Sequence, residues 1–231
     1  MIINAFLKAL DQLFAKGFRR VFIIGVLGAA VVFSALLFFL TTITPDGLQF
    51  FDWQWVNDAL DWMFGFAIYP LFFVVAWLFF PAIATMFMGI FIDDVVDAVE
   101  EKHYSDHKAP HRISAMDSFV LAIKMGLLII IVNIIALPFY LLLLFTAIGP
   151  FILFLILNSY FLGKEYFDLV ALRHFDKADA RELREKAGSR VFLGGAVITL
   201  LYIIPFVNLL APILGAATMV HIFHGTRGNI T

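Results

Sequence analysis

Residues 191–223 constrain the fold of this chain more than any other stretch. No charged side chain occurs between Arg190 and His221, so hydropathy alone makes the run one transmembrane helix. Pro205, Asn208 and Pro212 nevertheless stand in its middle. A proline inside a helix removes a backbone donor and clashes with the preceding turn, at about 3 kcal/mol. In hydrocarbon, the backbone groups it frees must find partners in protein or water. The break is therefore either a turn between two short helices or a site of function.

Composition and flanking charge separate these options. The chain is 62% hydrophobic and carries 28 phenylalanines in 231 residues, against roughly 45–50% apolar residues in soluble domains. It is an integral membrane protein by composition. All sixteen lysines and arginines lie outside 44–62, a segment that holds Asp46, Asp52, Asp58 and Asp61. The positive-inside rule then puts the N-terminus, 93–117, 164–190 and the C-terminus in the cytoplasm. Residues 191–223 thus start and finish on one side. Arms of about 15 residues reach roughly 22 Å, short of the approximately 30 Å hydrocarbon core. A re-entrant hairpin fits.

The remaining segments follow in order as one polytopic domain. Ile3, Phe6, Leu7, Leu10, Leu13 and Phe14 make 1–16 an amphipathic interfacial helix. Residues 21–43 form a span, too long for a signal-peptide core. Thr44-Pro45-Asp46-Gly47 ends it, and Trp53, Trp55 and Trp62 suit the water interface. Residues 63–102 form a long span with a cytoplasmic extension, interrupted by Pro70 and Pro81. Ser114 to Asp117 has the pattern of a capping box before a hairpin over 115–162. A charged surface helix covers 164–190, where Asp179-x-x-Glu182 suits a cap and Glu182 and Lys186 form an i,i+4 pair. Residues 191–224 are the re-entrant hairpin. The expected fold is all-α: two full transmembrane helices, two partly penetrating helical hairpins and amphipathic interfacial helices.

Few residues carry chemistry. Arg19 and Arg20 follow Gly17 at a helix start. Arginine's planar fork binds oxyanions through paired charge-assisted bonds, helix-start amides add donors, and glycine admits a close approach. Paired arginines also serve as ordinary topology and headgroup anchors. His103, His107 and His111, with Asp106 among them, have i, i+4, i+8 spacing, but Pro110 interrupts the set and a solvated linker is the better description. His221 and His224, at i, i+3, are a weaker pair. Asn133, Asn158 and Asn208 lie at membrane depth, where asparagine either bonds helices together or lines a path. Lys124 is the one ionisable group well inside a span. With no nucleophile–base pair and no phosphate-cradling glycine loop, no enzyme activity, cofactor or metal is expected. Net charge −2 without a basic aromatic cluster excludes nucleic acid, and the absence of cysteine excludes disulfides and thiolate sites.

Gly17-Phe18-Arg19-Arg20-Val21-Phe22 resembles the Gly-x-Arg-Arg-Phe entry of the bacterial CysZ-type sulfate permeases. Pro205 through Pro212, followed by Gly215-Ala216-Ala217-Thr218-Met219, resembles that family's C-terminal hairpin, and Pro150 through Phe175 is similar to the segment joining its two hairpins. The family shares a superfamily with eukaryotic etoposide-induced membrane proteins. The resemblance implies an oligomer in the bacterial inner membrane that passes sulfate, or a related oxyanion, for cysteine synthesis in a channel-like way. It carries substrate binding onto Gly17, Phe18, Arg19 and Arg20, with Asn208, Asp97 and Asn158 as pathway-lining candidates. At one point the chain departs from the family: Ile90-Phe91-Ile92-Asp93 stands where members have Pro-Phe-Asn-Gly, and Asp97 replaces a glutamate. The runner-up function is a membrane-structural or partner-binding role without transport.

Overall fold

A computed structural model describes residues 2–43, 53–110, 112 and 114–227. Among these residues there are no strands, and the α-helices are α1 (Ile2–Leu10), α2 (Lys16–Ile43), α3 (Gln54–Ile90), α4 (Ile92–His103), α5 (Ala115–Leu143), α6 (Gly149–Ala171), α7 (Lys177–Lys186), α8 (Gly188–Ile203) and α9 (Ala211–Arg227). The all-α membrane fold is borne out. The turn at 44–47 lies outside the described residues.

Among the described residues, three helical segments are long and apolar enough to cross a membrane: Lys16–Thr42, Phe66–Ile90 and Ile123–Thr146. The third lies in the first expected hairpin, so its outward arm has a full crossing's length. α3 runs through Pro70 and Pro81 without ending. Its 37 residues reach about 55 Å at 1.5 Å each, well beyond the hydrocarbon core, so its amino end, beside exposed Trp53 and Trp55, belongs to the interface.

The contacts divide the chain into two compact units, Ile23–Gly89 and Met1–Phe22 with Ile90–Thr231. In the first, α2 and α3 pack through small residues. A Cβ on Gly28 would stand 2.6 Å from the Phe87 ring, and one on Gly25 2.9 Å from the Ala84 carbonyl oxygen. Phe33 stacks on Phe80 at 6.1 Å.

The second unit is built around α9. Every residue from Ala211 to His224 is buried, with α1, α4, α6 and α8 packed on it. An apolar helix with no solvent face is a core element. α8 and α9, 16 and 17 residues long, each reach about 25 Å. Between them the chain turns at Pro205, at Phe206 with φ 64°, and through a short 3-10 turn, Val207–Leu209. The prolines that disqualify a continuous helix thus cost little. Pro205 lies in the turn, and Pro212 is second in α9, where its missing N–H would have had no helical partner. The α5–α6 turn repeats the plan, with φ 57° at Ala147 and Pro150 second in α6.

The two hairpins meet through backbone. A Cβ on Gly195 of α8 would clash with the Ser159 carbonyl oxygen and come within 2.6 Å of the Gly163 nitrogen on α6. Lipid tails give helices no hydrophobic reason to associate, so such close approach is what drives their packing.

α1 has the expected amphipathic period, but its two faces serve different neighbours. Ala5 and Ala9 are buried as α1 packs on α9, while Ile3 and Leu7 are 73% and 52% exposed; the helix ends at Leu10, short of the expected residue 16. Small residues fit the helix contact and the large apolar ones are left for lipid. Two caps differ from expectation. Asp176, not Asp179, caps α7, accepting from the amides of Ala178 (3.0 Å) and Asp179 (2.9 Å). Ser114 precedes α5 but makes no side-chain cap bond. The Lys186–Glu182 pair forms at 2.6 Å.

A side chain at Gly195 should therefore separate α6 from α8. Gly195→Val is expected to cost at least the roughly 1–3 kcal/mol typical of overpacking and to lower the melting temperature in detergent. Gly89→Ala, at a position with nothing within 4 Å, should leave it within about a degree or two. Equal melting of both variants would contradict the packing.

Candidate functional site: the charged cluster around α4

α4 carries one apolar and one acidic face. Val95, Val96 and Val99 are buried, while Asp93, Asp94, Asp97 and Glu100 recur at three- and four-residue spacing and so share a stripe. Each meets a cation or an imidazole. Arg20 reaches Asp94 at 3.6 Å. Arg112 bridges Asp94 (2.8 Å) and Asp97 (2.5 Å). Arg173, beyond the end of α6, pairs with Asp97 and lies 3.4 Å from Asp93. Its side chain is only 2% exposed, and its Nε is buried with no hydrogen-bond partner. A buried guanidinium is tolerated only where acids surround it, and α4 supplies them.

Gly17 permits the approach of the start of α2 to this helix: its Cβ would lie 2.9 Å from that of Ala98 and 3.2 Å from the Asp94 carbonyl oxygen. Phe18 is 1% exposed. Arg19 and Arg20 turn outward and are exposed. The Arg20 side chain is 68% exposed despite its pairing with Asp94. The Arg19 amide donates to the Ala15 carbonyl at 3.0 Å, so that backbone donor is already committed.

One turn further along, Glu100 is buried. Its Oε1 lies 2.7 Å from His174 Nε2 and 3.3 Å from His224 Nε2, and its Oε2 accepts from the Ala109 amide at 3.0 Å. Burial alone would raise the Glu100 carboxyl, but the hydrogen bonds from His174, His224 and the Ala109 amide hold it far below the usual carboxylate range. Burial pushes Asp93 up, against the pull of Arg173 and Arg112. Tyr104 stacks on His224 at 4.0 Å and its hydroxyl lies 2.9 Å from His221 Nδ1. Burial first, then the neighbouring His103 and Lys8, push His221 down to about 3.

The other expected residues sit apart. Asp97 belongs to the cluster, but the Asn158 amide donates to the Phe154 carbonyl of its own helix at 2.9 Å, as Asn133 does to Ile129 at 2.8 Å. Asn208 is in the α8–α9 turn with its Oδ1 buried and unpartnered. His103 ends α4 and His107 belongs to a 3-10 turn, so the helical face needed to align them stops. His111 lies outside the described residues. Arg112, Arg173, His174 and Glu100 are the members that sequence reasoning missed. The available signal was the acidic stripe of α4, which needs cations.

His221 gives the cluster a pH signature. A histidine depressed from 6.5 to about 3 stays neutral when folded but binds a proton when unfolded, so its stabilising share is present above pH 6.5 and is lost as pH falls toward 3. The slope for one proton is about 1.4 kcal/mol per pH unit. Melting temperature should fall between pH 7 and pH 5, and fall less in His221→Phe; the same slope in both would contradict the assignment.

The family described as sulfate transporter CysZ/etoposide-induced protein 2.4 has a model that matches residues 5–212. No curated protein and no solved structure matches the chain.

Proposed function

Because the chain belongs to the sulfate transporter CysZ/etoposide-induced protein 2.4 family, we propose that it passes sulfate, or a closely related oxyanion, across the bacterial inner membrane into the cytoplasm, feeding cysteine synthesis. The observation that carries this reading is the exposed Arg19–Arg20 pair at the amino end of α2, where Gly17 lets the chain approach α4 closely. A guanidinium that is 68% exposed and 3.6 Å from its carboxylate is weakly committed. It can exchange that partner for a doubly charged anion offering paired acceptor oxygens.

In this reading the termini and the α4 cluster face the cytoplasm, since they carry the chain's cations. Arg19 and Arg20 receive the anion there. Asn208, at the hairpin apex, lines a path together with Asp97 and Asn158 in a homo-oligomer. Transport is permease- or channel-like, by electrostatics and geometry, without bond-breaking chemistry. A membrane-structural role gains support from the extent to which α4 neutralises the other arginines, Arg112 and Arg173.

Radiolabelled sulfate uptake into proteoliposomes separates the two. The protein should take up sulfate well above empty liposomes. Arg19→Ala/Arg20→Ala should reduce uptake about tenfold, the loss expected for one charge-assisted hydrogen bond of roughly 1.5 kcal/mol. Uptake equal to that of empty liposomes would remove the transport reading. Unchanged uptake in the double variant would remove the arginines from it.

A further inference from the structure

Among the described residues, the entry arginines leave unused a buried set of ligand-type side chains. Glu100 of α4, His174 after α6 and His224 of α9 come from three separate elements, and their side chains are only 2%, 3% and 2% exposed. One donor atom from each lies within 4.8 Å of the others. We propose that Glu100, His174 and His224 form a structural site for a divalent transition-metal ion, with zinc the cation that best fits the donor set.

The geometry is close to what such an ion needs. Tetrahedral coordination at roughly 2.0–2.2 Å sets ligand atoms about 3.4 Å apart. The two imidazole nitrogens stand 2.7 and 3.3 Å from the carboxylate oxygen, so His224 already has this spacing and His174 would have to move out by about 0.7 Å to admit the metal. The rings are already aimed. Tyr104 lies flat on His224 at 4.0 Å, Phe223 lies 4.9 Å from His174, and the two imidazoles are perpendicular to one another.

The carboxylate has a support of its own. Oε2 is held by the Ala109 amide, leaving Oε1 as the atom presented to both histidines. Outer bonds of that kind orient metal ligands. Imidazole and carboxylate donors suit zinc among the divalent cations, and two histidines with one carboxylate leave a fourth position for water. Both rings would bind as neutral Nδ1–H tautomers, with no net charge required of either. The competing description is a closed hydrogen-bonded trio in which each Nε2–H donates to Glu100. The two differ in what occupies the centre: two protons or one ion.

The function of the ion would be to tie α4, the α6–α7 turn and α9 together at the end of the hairpin core. This inference is independent of sulfate transport and does not use Arg19 or Arg20.

The test uses the full chain, purified in detergent with any affinity tag removed and stripped with a chelator. Dialysis against limiting Zn2+ should restore one zinc per chain and raise the melting temperature. Co2+ in its place should produce a visible ligand-field band. His174→Gln/His224→Gln should lose the stoichiometric ion, whereas His103→Ala/His107→Ala should keep it. Stripped wild-type protein that takes up neither ion overturns the proposal, as does a folded His174→Gln/His224→Gln variant that still binds one. If that variant does not fold, X-ray absorption of the zinc-loaded wild type reads the ligands directly. Two imidazoles support the site; fewer than two overturn it.

Discussion

The α6–α8–α9 contact is the constraint on which this unit depends. Where helices gain nothing by leaving lipid for one another, they associate by approaching closely enough for backbone to touch backbone. Gly163 and Gly195 provide that approach between the two hairpins, while Gly194 and Gly215 open α8 to Ile222 and α9 to Ile198. The result is a helix, α9, buried along fourteen consecutive residues. α1, α4, α6 and α8 all dock on it. The polar cluster inherits its geometry from this packing, because His221 and His224 are carried on α9 and His174 in the turn that follows α6.

A second constraint is electrostatic. α4 brings four carboxylates into one stripe, and a buried carboxylate or guanidinium without a partner costs several kcal/mol. The structure answers by spreading three arginines and two histidines over that stripe from the start of α2, the loop after α4, the turn after α6 and the end of α9. This cross-links segments that are distant in sequence. It also sorts the arginines by availability: Arg173 is enclosed, whereas Arg20 faces outward. An oxyanion approaching this surface would meet the second kind.

Much of this was legible in the sequence because membrane constraints are severe. The uncharged run from Val191 to Val220, its central prolines and the charge at both ends required two short helices, and α8 and α9 are such helices. The 3.6-residue period of α1 was equally clear. Its orientation was not, since periodicity shows that two faces differ without telling which meets protein; Ala5 and Ala9 are the buried residues of α1, which packs on α9. The acidic spacing of α4 showed a stripe but not its partners, as Arg173 and His174 lie some 75 positions away and nothing local pairs them. Asp176 took the cap of α7 from Asp179 because capping depends on where the preceding turn ends. The histidine spacing at 103, 107 and 111 carries no continuous helical face, as Pro110 within it led one to expect: α4 ends at His103.

The central proposal is that residues 191–224 enter the membrane and return to the same side, with their apex at Phe206 to Asn208. Cysteines introduced one at a time into this cysteine-free chain measure that most directly. In intact cells, Phe206→Cys and Asn208→Cys should resist a membrane-impermeant maleimide added from outside, and Ser189→Cys and Gly225→Cys, at exposed positions, should label only after the cytoplasmic face is opened. Rapid labelling of the apex from outside, with Gly225→Cys still protected, would show a full crossing and contradict the account.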